Sequence, residues 1–147
     1  SWETKKKGTN EAFLIMICLD SSVIVDFLRN NEKAIDFITN LRSEDVATTV
    51  INVYELESGI WAMKNANYAM RLDNLNKFLS KIKLLQLDTY SVNQSAKIFG
   101  ELSRGGKIIE DLDILIAGVC LVNNCDTIIT ENIKHFSRIK GLKVETY

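Results

Sequence analysis

Residues 13–19 are apolar without a break, and Asp20 ends the run. Strict alternation would mark a strand with one wet face, whereas an unbroken run marks a strand covered on both faces, as in a parallel sheet. Asp20, Ser21 and Ser22 are helix N-cap residue types, and Val23, Val25, Phe27 and Leu28 follow them. The chain is therefore expected to pass from the end of this strand straight into a helix. Ile35, Ile38 and Leu41 recur at helical spacing and predict a second helix over 32–41. Residues 46–50 are short and β-branched, which predicts a strand, with Asn52 capping a helix whose stripe is Val53, Leu56, Ile60 and Met63. Leu72, Leu75, Phe78, Leu79 and Ile82 predict a helix over 67–82, and a strand is expected over 83–87. A helix over 91–102 follows, stopped by Gly105 and Gly106. Residues 111–122 begin acidic and are then apolar nearly all round, the pattern of a helix buried on most sides. A strand at 126–130, a short helix through Phe136 and a last strand at 142–147 complete the series.

Strands alternating with helices predict an α/β domain, a central and mostly parallel β-sheet flanked by helices. Functional groups in such sheets collect beyond the C-terminal ends of the strands. Asp20 and the segment Thr130, Glu131, Asn132 fall at such ends.

Composition narrows the chemistry. The 147 residues are the length of one domain, and 46% hydrophobic with 25% charged residues is ordinary for a folded chain, which argues against disorder and coiled coils. The formal charge is -1, so no global positive field draws the chain to a polyanion, and any nucleic-acid contact has to be local. His135 is the only histidine, which excludes two-imidazole schemes and His-rich zinc sites. Cys18, Cys120 and Cys125 lack a CxxC spacing, and two of them lie in apolar runs. Reduced, buried thiols of a cytoplasmic protein are expected. No apolar stretch approaches the roughly 20 residues of a membrane span, and residues 1–15 lack the cleavage site of a signal peptide. Met16 could be the natural start. Residues 1–15 are then an N-terminal extension or a cloning remnant, and 16–147 the single domain, with 15 basic and 17 acidic groups once the three Lys and two Glu of the leader are subtracted.

Four positions carry acidic or amide groups where a core does not ask for them: Asp20, Glu55, Asp113 and Asn132. Carboxylates crowded together repel one another unless a hard divalent cation such as Mg²⁺ or Mn²⁺ joins them. Each position also has a structural reading. Asp20 can cap a helix, and so can Asn132. Glu55 and Glu57 flank the same apolar stripe, and periodicity does not choose between them. Glu110 and Asp111 read first as residues that complement a helix N-terminus. Asp113 precedes Ile114, Leu115, Ile116, Ala117 and Gly118, and a carboxylate entering such a run needs a partner.

Taken in order, these segments resemble the PIN-domain ribonucleases of the VapC toxin type. Residues 16–28, with Asp20 followed by Ser22, resemble the family's first strand and its Asp-x-Ser/Thr. Residues 50–59 resemble the second motif, whose acid precedes Leu, which selects Glu55 over Glu57. Residues 106–118 resemble the third motif around Asp113, and residues 127–144 the C-terminal block. One departure stands out: where many members carry a fourth Asp after the last strand's Thr, this chain has Asn132, which supplies no charge for a second metal.

The resemblance implies a metal-dependent endoribonuclease toxin, with Mg²⁺ or Mn²⁺ as cofactor, that hydrolyses RNA phosphodiester bonds by metal-activated water. It also implies a cognate antitoxin that neutralises the protein, and a homodimer. Asp20 and Asp113 would hold the principal ion, Glu55 would complete the site, Ser22 and Thr130 would fix the carboxylates, and Asn132 would support or neutrally ligate. Arg104 and Lys107 flank the third motif, and Lys134, His135, Arg138, Lys140 and Lys143 cluster near the end as candidate RNA contacts. Trp61, Tyr68 and Phe78 are candidates for an antitoxin groove or a dimer face, with a core role as the plainer reading.

Two other α/β sites do not fit. A response-regulator receiver needs an acidic pair after its first strand, and a haloacid-dehalogenase-type phosphatase needs Asp-x-Asp; the triplet here is Asp20-Ser21-Ser22. A PIN-like module that binds antitoxin or RNA without cleavage is the alternative. Asn132 favours it, and the intact Asp20, Glu55 and Asp113 stand against it.

Overall fold

The computed structural model describes residues 16–147. Its order is β1 (Ile17–Leu19), α1 (Ser21–Leu28), α2 (Glu32–Thr39), a 3₁₀ turn (Ser43–Asp45), β2 (Val46–Thr49), α3 (Val50–Trp61), α4 (Tyr68–Leu79), β3 (Lys83–Leu85), α5 (Thr89–Arg104), α6 (Asp111–Val122), β4 (Thr127–Ile129), α7 (Ile133–Phe136) and β5 (Lys143–Glu145). All strand pairs are parallel, in the order β3-β2-β1-β4-β5. This is the flanked parallel sheet that the apolar runs predict.

Alternation along each strand sorts side chains to two cores. Cys18, Ala47 and Ile128 point into a layer with α5, α6 and Phe136. Leu19, Val46 and Ile129 point the other way, against Val23 and Ile24 of α1, Ile38 of α2, Leu56 of α3, and Leu75 and Phe78 of α4. A central strand buried on both faces has no place for a polar residue until its end, which explains the uninterrupted run before Asp20. The three cysteines are free thiols, all buried in the first layer. Among the described residues no helix is long and apolar enough to cross a membrane.

The chain leaves β1 toward β2 and β3 on one side and later places β4 and β5 on the other. The crevice of such a sheet opens where this order reverses, at the C-terminal ends of β1 and β4. Two backbone bonds extend the ladder into it: Asp20 N–H donates to the Ile129 carbonyl at 2.9 Å, and Thr130 N–H to that of Glu145 at 3.0 Å.

The elements differ from the sequence pattern mainly at their ends. β1 is described only from Ile17, and residues 13–15 of the expected strand lie outside the described residues. β2 stops at Thr49 and Val50 already begins α3, because the helix is capped by Thr49 and not by Asn52. The Thr49 hydroxyl accepts from Asn52 N–H at 3.2 Å, and Asn52 Oδ1 accepts in return from Thr49 N–H at 3.3 Å. This reciprocal box places the cap three residues upstream of the expected one. α5 begins at Thr89, earlier than expected, under an equivalent box made by Asp88 and Ser91.

Helices α5 and α6 approach closely because small residues line their contact. A Cβ on Gly118 would stand 1.9 Å from Ser95 Oγ and 2.8 Å from the Ser91 carbonyl oxygen. The α6 backbone carries Asp113 at its first turn, so this seam helps set where that carboxylate stands. Gly118→Ala is expected to cost about 1–3 kcal/mol in urea unfolding, the usual range for overpacking. Adding Ser95→Gly should recover only part of the loss, since the Ser91 carbonyl is backbone and remains in place.

Candidate active site

Asp20 ends β1 with an extended backbone and caps α1, accepting from Ser21 N–H at 2.9 Å through Oδ1. The same oxygen accepts from Asn52 Nδ2 at 2.9 Å, and Oδ2 accepts from the Thr130 hydroxyl at 2.5 Å. Capping and site membership are thus one placement of one side chain. Only 7% of the residue is exposed. Burial raises its pKa above the ordinary carboxyl value; the donors Thr130, Ser21 and Asn52 work in the opposite direction, and the charge of Asp113 adds to the rise.

Glu55, on the second turn of α3, accepts from the Ser21 hydroxyl at 2.9 Å. Its pKa is raised by burial first, eased by Ser21, and raised again by the charges of Asp20, Asp113 and Glu110. Geometry therefore puts Glu55 into the site without help from any family pattern. Asn52 organises this side. Its Oδ1 takes the Thr49 hydroxyl at 2.7 Å, which turns Nδ2 toward Asp20 Oδ1 and, at 3.0 Å, toward Ser21 Oγ. Fully buried, Asn52 ties β2, α3, Asp20 and Glu55 into one network.

Asp113 stands in the first turn of α6, 6% exposed. Its Oδ2 lies 3.1 Å from Asn132 Nδ2 and 2.9 Å from His135 Nδ1. Asn132 occupies the N-cap position of α7 but makes no side-chain cap bond there, because its amide turns to Asp113. Glu110 likewise sits at the N-cap of α6 without capping it, and joins the cleft instead. Thr130 donates its hydroxyl to Asp20 and accepts from Asn132 N–H at 2.9 Å. Ser22 goes elsewhere: its hydroxyl accepts from Glu131 N–H at 3.3 Å and touches no carboxylate of the site. The serine hydroxyl that reaches a carboxylate of the site is that of Ser21, which donates to Glu55. Successive helical residues point about 100° apart, so a shift of one position changes the neighbour.

Asp20, Ser21, Ser22, Glu55, Glu110, Asp113, Glu131 and Asn132 line one open cleft of about 350 Å³ at the reversal of strand order. Among the expected basic residues, Lys107, Arg138 and Lys140 line a second cleft of about 300 Å³ with Glu101, where Arg138 Nη1 donates to the Ile108 carbonyl at 3.2 Å. Glu110 of the acidic cleft lies three residues beyond Lys107. Arg104 ends α5 nearby, Lys134 sits on α7, and Lys143 pairs with Glu145 at 3.1 Å. Phe78 packs on Phe27 in the core, while Trp61 is 60% exposed and stacks on Tyr68.

The family model of the PIN domain matches residues 17–142. The chain belongs to the PIN-domain family. Among relatives of this PIN domain, Ribonuclease VapC1 of Methanocaldococcus jannaschii is 29% identical over 142 residues, which is 95% of this chain and 93% of that one. The tRNA(fMet)-specific endonuclease VapC of Salmonella typhimurium is 25% identical over 134 residues, covering 91% and 99%. In fold, the PIN domain superposes on VapBC2 from Rickettsia felis, solved bound to a DNA fragment from its promoter, with a TM-score of 0.81 at 24% identity over 90% of this chain and 99% of that one.

A carboxyl whose pKa is raised by folding costs stability when ionised. The cost is absent well below the unfolded pKa, grows as pH climbs toward the folded value, and is complete at neutral pH. Glu55→Gln is therefore expected to melt above the wild type at pH 7 without divalent ions, by roughly 1–4 °C given solvent screening of a half-exposed group. The gap should close toward pH 4, as read from thermal melts across pH.

Proposed function

We propose that this PIN domain is an endoribonuclease toxin that hydrolyses RNA phosphodiester bonds with a Mg²⁺ or Mn²⁺ ion, and that a cognate antitoxin neutralises it. The observation that carries the reading is the meeting of Asp20, Glu55 and Asp113, from three separate elements, in one open cleft. Their donor chemistry fits a hard cation: oxygen ligands only, pushed toward protonation by burial and mutual repulsion at Asp20 and Glu55, and so relieved by positive charge.

When bound, the ion supplies Lewis-acid polarisation of the phosphoryl group and lowers the pKa of an attacking water. The chain's own residues supply placement. Asp20 and Asp113 would hold the ion, Asp20 fixed by Thr130, Ser21 and Asn52, and Asp113 by the α7 side chains. Glu55, fixed by Ser21, faces the same opening and would orient or take a proton from the water. Asn132 brings an amide where a fourth carboxylate would add charge, which suits one principal ion rather than two. The basic cleft of Lys107, Arg138 and Lys140 would hold RNA phosphates, with Arg104 at the end of α5 and Lys134 on α7 as further contacts.

An apolar groove of about 210 Å³ starts at Ser21 and Glu55 and continues between α1, α3 and α4 past Val25, Leu28, Ile60 and Met63. It supports a protein inhibitor lying beside the site, in keeping with relatives solved as VapBC complexes. A homodimer and a cytoplasmic setting, where buried thiols stay reduced, belong to the same reading.

Antitoxin-free protein incubated with structured RNA and Mg²⁺ or Mn²⁺ is expected to cleave it, and chelation should abolish cleavage. Asp20→Asn and Asp113→Asn should each lose at least about 100-fold in rate, and Asn52→Ala about 10–100-fold as a supporting residue. Cleavage that persists unchanged in both Asp variants would defeat the catalytic assignment. RNA binding without any cleavage would favour the non-catalytic module.

A further inference from the structure

His135 Nδ1, the side-chain amide of Asn132 and Asp113 Oδ2 form a closed triangle: 2.9 Å from His135 to Asp113, 2.8 Å from His135 to Asn132, and 3.1 Å from Asn132 to Asp113. Every edge is of hydrogen-bond length, yet with Asp113 as a carboxylate no assignment of the remaining protons satisfies all three. With Nδ1 protonated and the amide nitrogen inward, both donate to Asp113 and two donors face each other at 2.8 Å. Turning the amide over lets its oxygen accept from Nδ1, but then two acceptors face each other across the 3.1 Å edge. With Nδ1 unprotonated it accepts from the amide, and its lone pair meets the carboxylate at 2.9 Å. One repulsive edge survives in each case.

A cation removes the conflict once the Asn132 amide is turned so that Oδ1 stands in the place of Nδ2, because all three groups then present lone pairs to the same centre. Donor atoms on one face of an octahedral ion with bonds near 2.1 Å stand about 3.0 Å apart, which matches this triangle. We propose that Asp113, Asn132 and His135 form one face of the divalent-metal site, with the His135 imidazole a direct nitrogen ligand that biases the site toward first-row transition ions over Mg²⁺. The assignment rests on the reading that Asp113 holds a divalent ion.

The bias follows from donor type. Mg²⁺ prefers oxygen and gains little from imidazole, whereas affinity for a nitrogen donor rises through the first-row series from Mn²⁺ onward. The ring reaches the site from behind two of its lining residues: Asp113 and Asn132 line the acidic cleft, and the His135 side chain, within 2.9 Å of the first and 2.8 Å of the second, is 30% exposed. As the chain's single histidine, it is also the only imidazole that could give such a signal.

The test uses tag-free full-length protein without RNA. Mn²⁺ and Mg²⁺ affinities are measured by calorimetry on wild type, His135→Ala and His135→Gln, with thermal melts confirming folding. Both variants are expected to lose at least about tenfold for Mn²⁺ and to stay within about twofold for Mg²⁺. Equal losses for both ions, or none, overturn the proposal, since a residue that only braces Asp113 would affect both ions alike. Independently of any variant, electron spin echo spectra of Mn²⁺-loaded wild type should show imidazole-nitrogen modulation that changes when the chain carries ¹⁵N-histidine. Mn²⁺ that binds without this modulation overturns the nitrogen ligand and leaves the carboxylate-metal reading standing. Failure to bind either ion overturns both, whereas RNA cleavage by a site lacking the modulation overturns only the proposal made here.

Discussion

A carboxylate at the end of a strand buried on both faces has to be satisfied where it stands, and most of the site's architecture answers that demand. Asp20 cannot retreat to solvent without leaving the ladder, because its own N–H is bonded to the Ile129 carbonyl. Its two oxygens collect a backbone amide from α1, the amide of Asn52 from α3 and the hydroxyl of Thr130 beyond β4. Hydrogen bonds to a charged acceptor are among the stronger ones available, but these three do not offset its burial, and the pKa still rises. The residual deficit is electrostatic, so the geometry of donors leaves a demand for positive charge at the opening.

The same demand links the elements. Asn52 serves Asp20 only because Thr49 fixes its amide, and Thr49 is free to do so only because β2 ends there and the helix starts at Val50. The Ser21 hydroxyl accepts from Asn52 and donates in turn to Glu55. Asp113 depends instead on α6 being seated against α5 and on α7 turning Asn132 and His135 inward. Two halves of the cleft are thus braced by distinct hydrogen-bond sets that meet at the Thr130–Asn132 turn.

Much of this is legible in the sequence wherever one residue's pattern depends on its own element. The unbroken apolar runs announce a doubly covered parallel sheet, and the placement of Asp20 and Thr130 at strand ends follows from it. The acidic start of α6 announces Asp113. What stays hidden is contact between elements. Asn after a β-branched run reads as a cap, and nothing local reveals that Thr49 takes that role and sends Asn52 across to Asp20. Ser21 and Ser22 are alike as letters, and only the packing of α1 against α3 decides which one reaches Glu55. His135 reads as one more basic residue in a run of lysines, since its partner lies 22 positions earlier in another helix.

Net charge is a poor guide to such a protein because charge acts here at the scale of one cleft. The acids of the opening would repel a polyanion as surely as they repel one another, while Lys107, Arg138 and Lys140 of the second cleft would attract it. A cation in the acidic cleft changes the sign of the first term and leaves the second intact. On the proposed reading, metal and polyanion would favour each other's binding, and by linkage the coupling would be the same read from either side. The acidic cleft would then act as a gate as well as a centre: repulsive to phosphate while only carboxylates line it, and receptive once their charge is matched.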